Sequence, residues 1–327
     1  MSSSVLKSRM NKLAAGLCAA LALSGAATSA IAGGHLGGVR LPPHGISSVT
    51  SCADDNSVGT LRQIIANAAS GDQVDMSGLG CSTITLTQGE ILIPHNIYLV
   101  GPANATLTIT GDGSDRVLQS ISADTPSAFL SISNLTIAGG RIDTTGDGAV
   151  GGCILSSGDV ILSNSTVTDC VAHSSASYAF GGGIYAPSVS IQSSRVTDSS
   201  AYADSAMEMA RGGGIYAGGL ACTDSTLSSN QSGAVPNGAS GQGGGAFVSG
   251  GNVSLSRCTV DSNQADEAGG IAQFVGSYTA TTTIQNSTIS GNSAAAMIGG
   301  FELFCSKCSP APMQLLNSTV AFNSALQ

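Results

Sequence analysis

Apolar and polar residues alternate along most of this chain in short runs that recur. Seven eight-residue segments line up under one another: LSISNLTI (130–137), VILSNSTV (160–167), VSIQSSRV (189–196), LACTDSTL (220–227), VSLSRCTV (253–260), TTIQNSTI (282–289) and MQLLNSTV (313–320). Successive starts lie 30, 29, 31, 33, 29 and 31 residues apart. In most copies apolar residues hold the first, third and last places, with polar residues mostly between. That is the two-residue period of a strand with a turn near its middle, not the period of a helix. Seven copies at so even a spacing predict a solenoid.

Two more columns repeat with the strands. A few residues after each segment comes an asparagine in the later copies: Asn230, Asn263, Asn292 and Asn323. Ahead of the next copy come glycines, in GGCILS (151–156), GGGIYA (181–186 and again 212–217), GGGAFVS (243–249), GGIAQF (269–274) and GGFELF (299–304). Each repeat therefore reads as about three short strands separated by turns, and as one coil of an all-β, right-handed parallel β-helix. Coils stack at about 4.8 Å, so each position lies on its own copies. The glycines, Gly182 and Gly183, Gly213 and Gly214, Gly244 and Gly245, are expected to make sharp corners with φ > 0. The asparagines are expected at another corner, hydrogen-bonded along the stack.

The ends depart from the repeat. Residues 1–32 carry Lys7, Arg9 and Lys12, an apolar stretch and a closing Ala-Ile-Ala, the pattern of a signal peptide rather than of a membrane anchor. A flexible leader is expected over 33–49 and an N-terminal cap over 50–86. In the cap, Thr60 and Gln63 form a capping-box spacing, and Leu61, Ile64, Ile65 and Ala68 share a face. These predict a short helix over 60–69, ended at Gly71-Asp72 and covering the first coil. The β-helix would fill 50–327, with two irregular coils through 89–102 and 105–121 before the seven repeats of 130–327. The last repeat stops where a glycine corner is due, so further coils or a subunit are expected on that end.

Export changes the charge picture. Removing residues 1–32 leaves eight of the 11 Lys and Arg against 20 Asp and Glu, a balance of −12. Nucleic acid and anionic membrane, which need basic patches, are poor partners for such a chain. Aromatics are 4% of residues and Trp is absent, which argues against a surface rich in sugar-stacking or hot-spot side chains. Eight cysteines remain, an even number suited to an oxidising compartment. Neighbours in the sequence pair most simply: Cys52 with Cys81, Cys153 with Cys170, Cys222 with Cys258. Cys305 and Cys308, in CSKC, read as a local disulfide or two free thiols before a zinc or redox half-site.

The opening that joins Cys52 to LRQIIANAASGDQVDM (61–76), LTITGDGSDRVL (107–118), and the alternation of GGGIY with asparagine-bearing NSTV strands resemble bacterial exported parallel β-helix proteins with polymorphic outer-membrane-protein-like repeats. The resemblance spans about 50–327 and implies the fold. It also implies a cell-surface or outer-membrane setting, with the periplasm an alternative, and roles in surface display or adhesion. That family often ends in a membrane β-barrel, and no barrel-forming tail is read here.

Candidate chemistry is thin. Asp169 and Asp198 share a column, with Asp261 displaced by one place, but no His or Lys accompanies them, and solvent-facing acids are the simpler reading. Arg195, Arg211 and Arg257 read as isolated surface arginines, and His35, His44, His95 and His173 are scattered. GDGAVG (146–151) has the dinucleotide spacing but is followed by strand-like sequence, not a helix. GDGSDRV (111–117) matches one unit of a calcium repeat that needs tandem copies, and reads as a turn. The Asn-x-Ser/Thr triplets at Asn104, Asn134, Asn164, Asn230, Asn252, Asn286 and Asn317 mostly fall on repeat columns. No catalytic residue, metal or cofactor is assigned. The expected function is an exported, adhesin-like structural and binding module for a surface glycan or protein. Its ligand is expected at the insertions 200–211, 231–242 and 304–312, taken to share one corner. The rival is a polysaccharide lyase or hydrolase of the pectin-lyase-like type.

Overall fold

The computed structural model describes residues 43–103, 106–122, 124, 128–205, 208–233, 240–275, 280–305 and 313–325. The expected signal peptide and most of the expected leader lie outside them. The described chain winds as a parallel β-helix of about 30 residues per coil, with one short helix. One coil shows the path. Ile184–Gln192 runs on a 16-stranded sheet, Arg195–Thr197 on a nine-stranded sheet, Ser200–Ala203 on a seven-stranded sheet and Met209–Arg211 on a four-stranded sheet. Then Gly212–Gly214 turns the chain into Ile215, which pairs with Ile184. The central coils thus hold four strands, not three. The extra one is two or three residues long, too short to show a period. It is built on alanine, since Ala149, Ala179 and Ala210 are buried with Ala172, Ala201 and Ala203 in a narrow second core.

Alternation fixes the main core. Leu162, Ile191, Cys222, Leu255 and Ile284 form one inward column, and Ile137, Val167, Val196, Leu227, Val260 and Ile289 another. All are buried, and each Val, Leu or Ile among them contributes about 1.5–3 kcal/mol of apolar transfer.

The N-terminal end is more regular than expected. Ile46–Ser48, inside the expected leader, is a strand paired with Asp72–Asp75, because extending a sheet satisfies backbone groups that a loose tail would leave to water. The helix spans Leu61–Asn67 and buries Leu61 and Ile65 against strands Asp72–Asp75 and Ile91–Ile93. Its capping box does not close: the Thr60 hydroxyl donates to Ser57 O at 2.8 Å, and Gln63 accepts from the Gly59 N–H at 3.3 Å. A buried pair holds the helix instead. Arg62 donates to both carboxylate oxygens of Asp54 (2.8 and 3.0 Å) and to the carbonyls of Gly89 and Glu90.

The corners explain the repeat. Asn134, Asn164, Ser193, Asp224, Arg257, Asn286 and Asn317 all turn with φ of 47–57°, the left-handed region that Asn and Asp tolerate best. The residue after each such corner is a buried serine in most coils, whose Oγ accepts the backbone N–H of the coil before: Ser165 N to Ser194, Ser194 N to Ser225, Ser287 N to Ser318, at 3.0–3.1 Å. The recurring Asn-Ser-Thr is thus a corner, a ladder rung and a strand start.

The second corner carries the asparagines. Asn230, Asn263 and Asn292 are fully buried. Asn230 N–H donates to Asn263 Oδ1 (3.0 Å), Asn263 N–H to Asn292 Oδ1 and Asn292 N–H to Asn323 Oδ1 (both 3.1 Å). Each amide also donates backwards, Asn230 to Val196 O and Asn323 to Ile289 O at 2.9 Å.

At the third corner the positive φ belongs to the first glycine of each triplet, Gly181, Gly212 and Gly243 (64–67°), not to the two that follow it. Those serve close approach. A Cβ on Gly182, Gly213 or Gly244 would meet backbone of the neighbouring strands at 2.2–2.3 Å. A Cβ on Gly214 or Gly245 would meet the Asn230 or Asn263 amide carbon at 2.9 or 3.1 Å, so the last glycine exists to seat the asparagine. Gly183 faces the smaller Ser199.

Three disulfides join Cys52–Cys81, Cys153–Cys170 and Cys222–Cys258. Cys305 is also disulfide-bonded. Cys153 aligns with Gly183 and Cys170 with Ser199 and Asn230. In that coil the bond fills the space that a glycine and an asparagine share elsewhere.

Candidate functional site

Outward residues on the two sides of the glycine corner converge. Before it, Val150, Phe180, Arg211 and Gln242 form one column, continued across an isolated bridge to Glu267. After it, Leu155, Tyr185, Tyr216, Phe247, Ala272 and Glu302 form another. Because both strands point these side chains away from the lumen at a tight turn, they pack on each other. Tyr216 stacks on Tyr185 (5.0 Å), Phe247 (5.4 Å) and Phe180 (4.8 Å), and Tyr178 stacks on Phe180 (4.6 Å). A chain poor in aromatics has gathered five at one place, which composition averages away.

Arg211 is not an isolated surface arginine. It is buried, with its guanidinium 4.6 Å from the Phe247 ring centre and 5.7 Å from that of Phe180. It donates to Gln242 Oε1 (2.9 Å), and Gln242 donates to Glu267 Oε2 (2.8 Å), which also takes the Ser240 hydroxyl on its other oxygen. Burial lowers the Arg211 pKa, against the pull of Tyr216 and Glu267. Beyond Glu267, burial and then the Glu267 charge raise the Glu302 carboxyl above its ordinary 4.5. Burial first, then Tyr216 and Tyr178, push Tyr185 up to about 12, so its hydroxyl remains a donor at neutral pH. With its faces covered by neighbours, Tyr216 is no stacking platform. What the corner offers is a strip of phenol, amide and carboxyl groups on a rigid wall.

The other sequence candidates fall elsewhere. Asp169 and Asp198 are exposed left-handed corners (φ 56° and 52°), and Asp261 ends a strand of the nine-stranded sheet. Arg195 faces outward from that sheet. Arg257 forms a two-point pair with Asp224 across one coil. His173 lies between Asp143 (2.6 Å) and Asp204 (3.1 Å) and stacks on Tyr202, a contact that scattered sequence positions hide. GDGSDRV is a turn, with Asp112 accepting from Ser114, and GDGAVG runs into strand Ala149–Val150 and the glycine corner. The insertions 200–211 and 231–242 share the corner between the seven- and four-stranded sheets, but 304–312 follows strand Phe301–Cys305 and leaves from a different edge. The described ends of the three insertions do not share one corner. Residues 206–207, 234–239 and 306–312 lie outside the described ones. The sequence does not disclose the Arg211–Gln242–Glu267 chain, because Arg211 and Gln242 lie in three-residue strands too short to show a period and Glu267 sits on an isolated bridge.

No family model matches this chain, and no curated protein matches it. Among solved structures, ORF18 of Geobacillus virus E2 aligns with 13% identity and a TM-score of 0.30, over 84% of this chain and 60% of that one. The chain thus spans less than two thirds of that protein's length. No helix among the described residues is long and apolar enough to cross a membrane.

Proposed function

We propose that this protein is an exported, adhesin-like binding module of a cell surface, and that its ligand, a surface glycan, meets the glycine corner between Tyr185, Gln242 and Glu302. The carrying observation is the concentration of hydrogen-bonding side chains around Arg211 on a rigid wall. Disulfides suit an oxidising, exported setting. Half-exposed phenol, amide and carboxyl groups spaced along stacked coils suit a polyhydroxylated chain running parallel to the axis. The test is a glycan array probed with the folded protein, repeated with Tyr185→Phe and Glu302→Gln, which remove single polar functions and keep shape. Binding that falls at least tenfold in the double variant, with unchanged circular dichroism, supports the site. Binding that survives both substitutions, or a blank array, overturns it.

A second reading, a polysaccharide hydrolase, draws on one observation, the raised Glu302 carboxyl beside Glu267, since glycosidases pair a protonated with an ionised carboxyl. New reducing ends from a polysaccharide panel, lost in Glu302→Gln, would establish it in place of the binding module.

A further inference from the structure

The nine-stranded sheet presents a face that the fold does not demand. Eight of its nine strands bury one inward apolar residue, from Ile84 to Ile289, the last strand's Val320 being half exposed, and the neighbours on either side point outward. The first outward rank runs in register from Thr83 to Thr319, and threonine holds every place but that of Arg195. The second rank has Thr85, Thr110, Thr168 and Thr197, then Ser228 and Ser290, with Ala138 and Ala321 small and Asp261 its one charge. Strand propensity alone would accept valine, isoleucine, tyrosine or threonine there. The same chain shows as much on its 16-stranded sheet, where one outward column reads Leu155, Tyr185, Tyr216, Phe247, Ala272 and Glu302. A uniform rank of short hydroxyls in a chain of net charge −9 is a selected surface.

Its repeated hydroxyl chemistry, set on the spacing of a parallel sheet, points to the ligand. Rungs repeat at about 4.8 Å and the two ranks lie about 6.7 Å apart along the strand, so hydroxyls and methyls recur on a two-dimensional grid. Among the described residues, the first-rank hydroxyls of Thr136, Thr166, Thr226, Thr259 and Thr288 engage no protein partner and are left to bond outward, whereas in the second rank Thr110 donates to Gly111 O, Thr168 to Asp169 and Thr197 to Thr168, so that rank meets water chiefly as an acceptor. The grid is close to the repeat of oxygen rows on a face of hexagonal ice. Beside each hydroxyl a methyl leaves water no competing partner. Stacked ladders on both flanking corners hold the grid rigid, so little ordering is lost on binding.

We propose that this threonine face binds ice, the two ranks holding water in lattice positions that merge with a growing crystal. The reading is independent of the glycine-corner site, which lies on other sheets. A crystalline polysaccharide is the competing occupant, but such surfaces are met by exposed aromatic rings, and neither rank contains one.

The test is partition of the folded protein into slowly growing ice, together with thermal hysteresis and ice-crystal shape. The protein is expected to be retained in ice and to shape crystals. Thr226→Tyr with Thr259→Tyr, placing bulk on the face, should cut hysteresis at least tenfold with unchanged circular dichroism, and Thr259→Val reports on the hydroxyl alone. Arg195→Thr, completing the first rank, should raise it. Tyr185→Phe with Glu302→Gln should leave ice retention unaltered. Exclusion from ice equal to that of an unrelated folded protein overturns the proposal. So does retention on cellulose or chitin without retention in ice, or hysteresis indifferent to the tyrosine substitutions.

Discussion

Truncating Asn263 to alanine tests how much of the solenoid rests on its asparagine ladder. The side chain is fully buried and bridges three coils. Its Oδ1 accepts from the Asn230 N–H (3.0 Å) and Asn230 Nδ2 (3.1 Å), while its Nδ2 donates to Leu227 O (3.0 Å) and Asn292 Oδ1 (2.9 Å). In Asn263→Ala the Asn230 N–H loses its acceptor in a place without water, at about 1–3 kcal/mol. The other three bonds carry about 0.5–1.5 kcal/mol each, discounted because Asn230 Nδ2 keeps Val196 O and Asn292 Oδ1 keeps the Asn263 N–H. The expected loss is about 3–5 kcal/mol. Asn323→Ala at the half-exposed end of the ladder, where water can replace the amide, should cost about 1 kcal/mol. Urea unfolding followed by circular dichroism gives the ranking. Hydrogen exchange gives the location, because a solenoid loosens around the damaged coil, so the Asn230 amide should lose protection first. Equal urea midpoints for Asn263→Ala and the parent, or an Asn230 amide that stays protected, would refute the ladder as a source of stability.

Three further outcomes are expected. Cys153→Gly with Cys170→Asn should fold and no longer respond to reductant at that coil, whereas Cys170→Asn alone, with Cys153 in the amide's space, should unfold at lower urea. Burial and the Glu267 charge raise the Glu302 pKa above 4.5, so folding binds that proton more tightly and loses stability as pH climbs past 4.5. Glu302→Gln should therefore melt higher than the parent at pH 7, an advantage that disappears below pH 4. Burial raises the Asp54 carboxyl, but Arg62 and the Thr87 and Gln88 N–H groups outweigh it and leave its pKa below 3.8. The stability it contributes is present above pH 3.8 and is lost as pH falls through the lower folded value. Asp54→Asn leaves the largely buried Arg62 charge without its counter-ion and should cost about 3–5 kcal/mol at pH 7, with the gap to the parent narrowing in acid.

What the sequence discloses here follows from what repeats. The apolar places of VILSNSTV and its copies are dictated by one lumen, so they recur and can be read, and with them the coil length. The asparagine column is legible for the same reason. The buried serines Ser165 and Ser287 are hidden behind triplets that resemble glycan acceptors, since a ladder of hydroxyls and a glycosylation signal use the same letters. The four-stranded sheet escaped because Ala179–Phe180 is two residues long, below any period. That Gly181 turns with positive φ while Gly182 and Gly183 make room is not legible, because letters alone do not say which of three glycines does which. The corner site was illegible for a deeper reason: Phe180, Arg211, Gln242 and Glu267 are chemically unlike, and only stacking brings unlike residues of successive coils together.

The glycine–asparagine pairing also bears on how such a chain changes over generations. Each coil carries both halves of its own fit, and its ladder bonds to the coils above and below have the same form. GGGIYA begins at 181 and again at 212, 31 residues apart, one full turn. Recombination between gene segments encoding these identical stretches would excise or duplicate a whole coil, and every inward column would close up in register. The length of the protein is therefore a quantity that inheritance can adjust in single turns, with no repair of the core required.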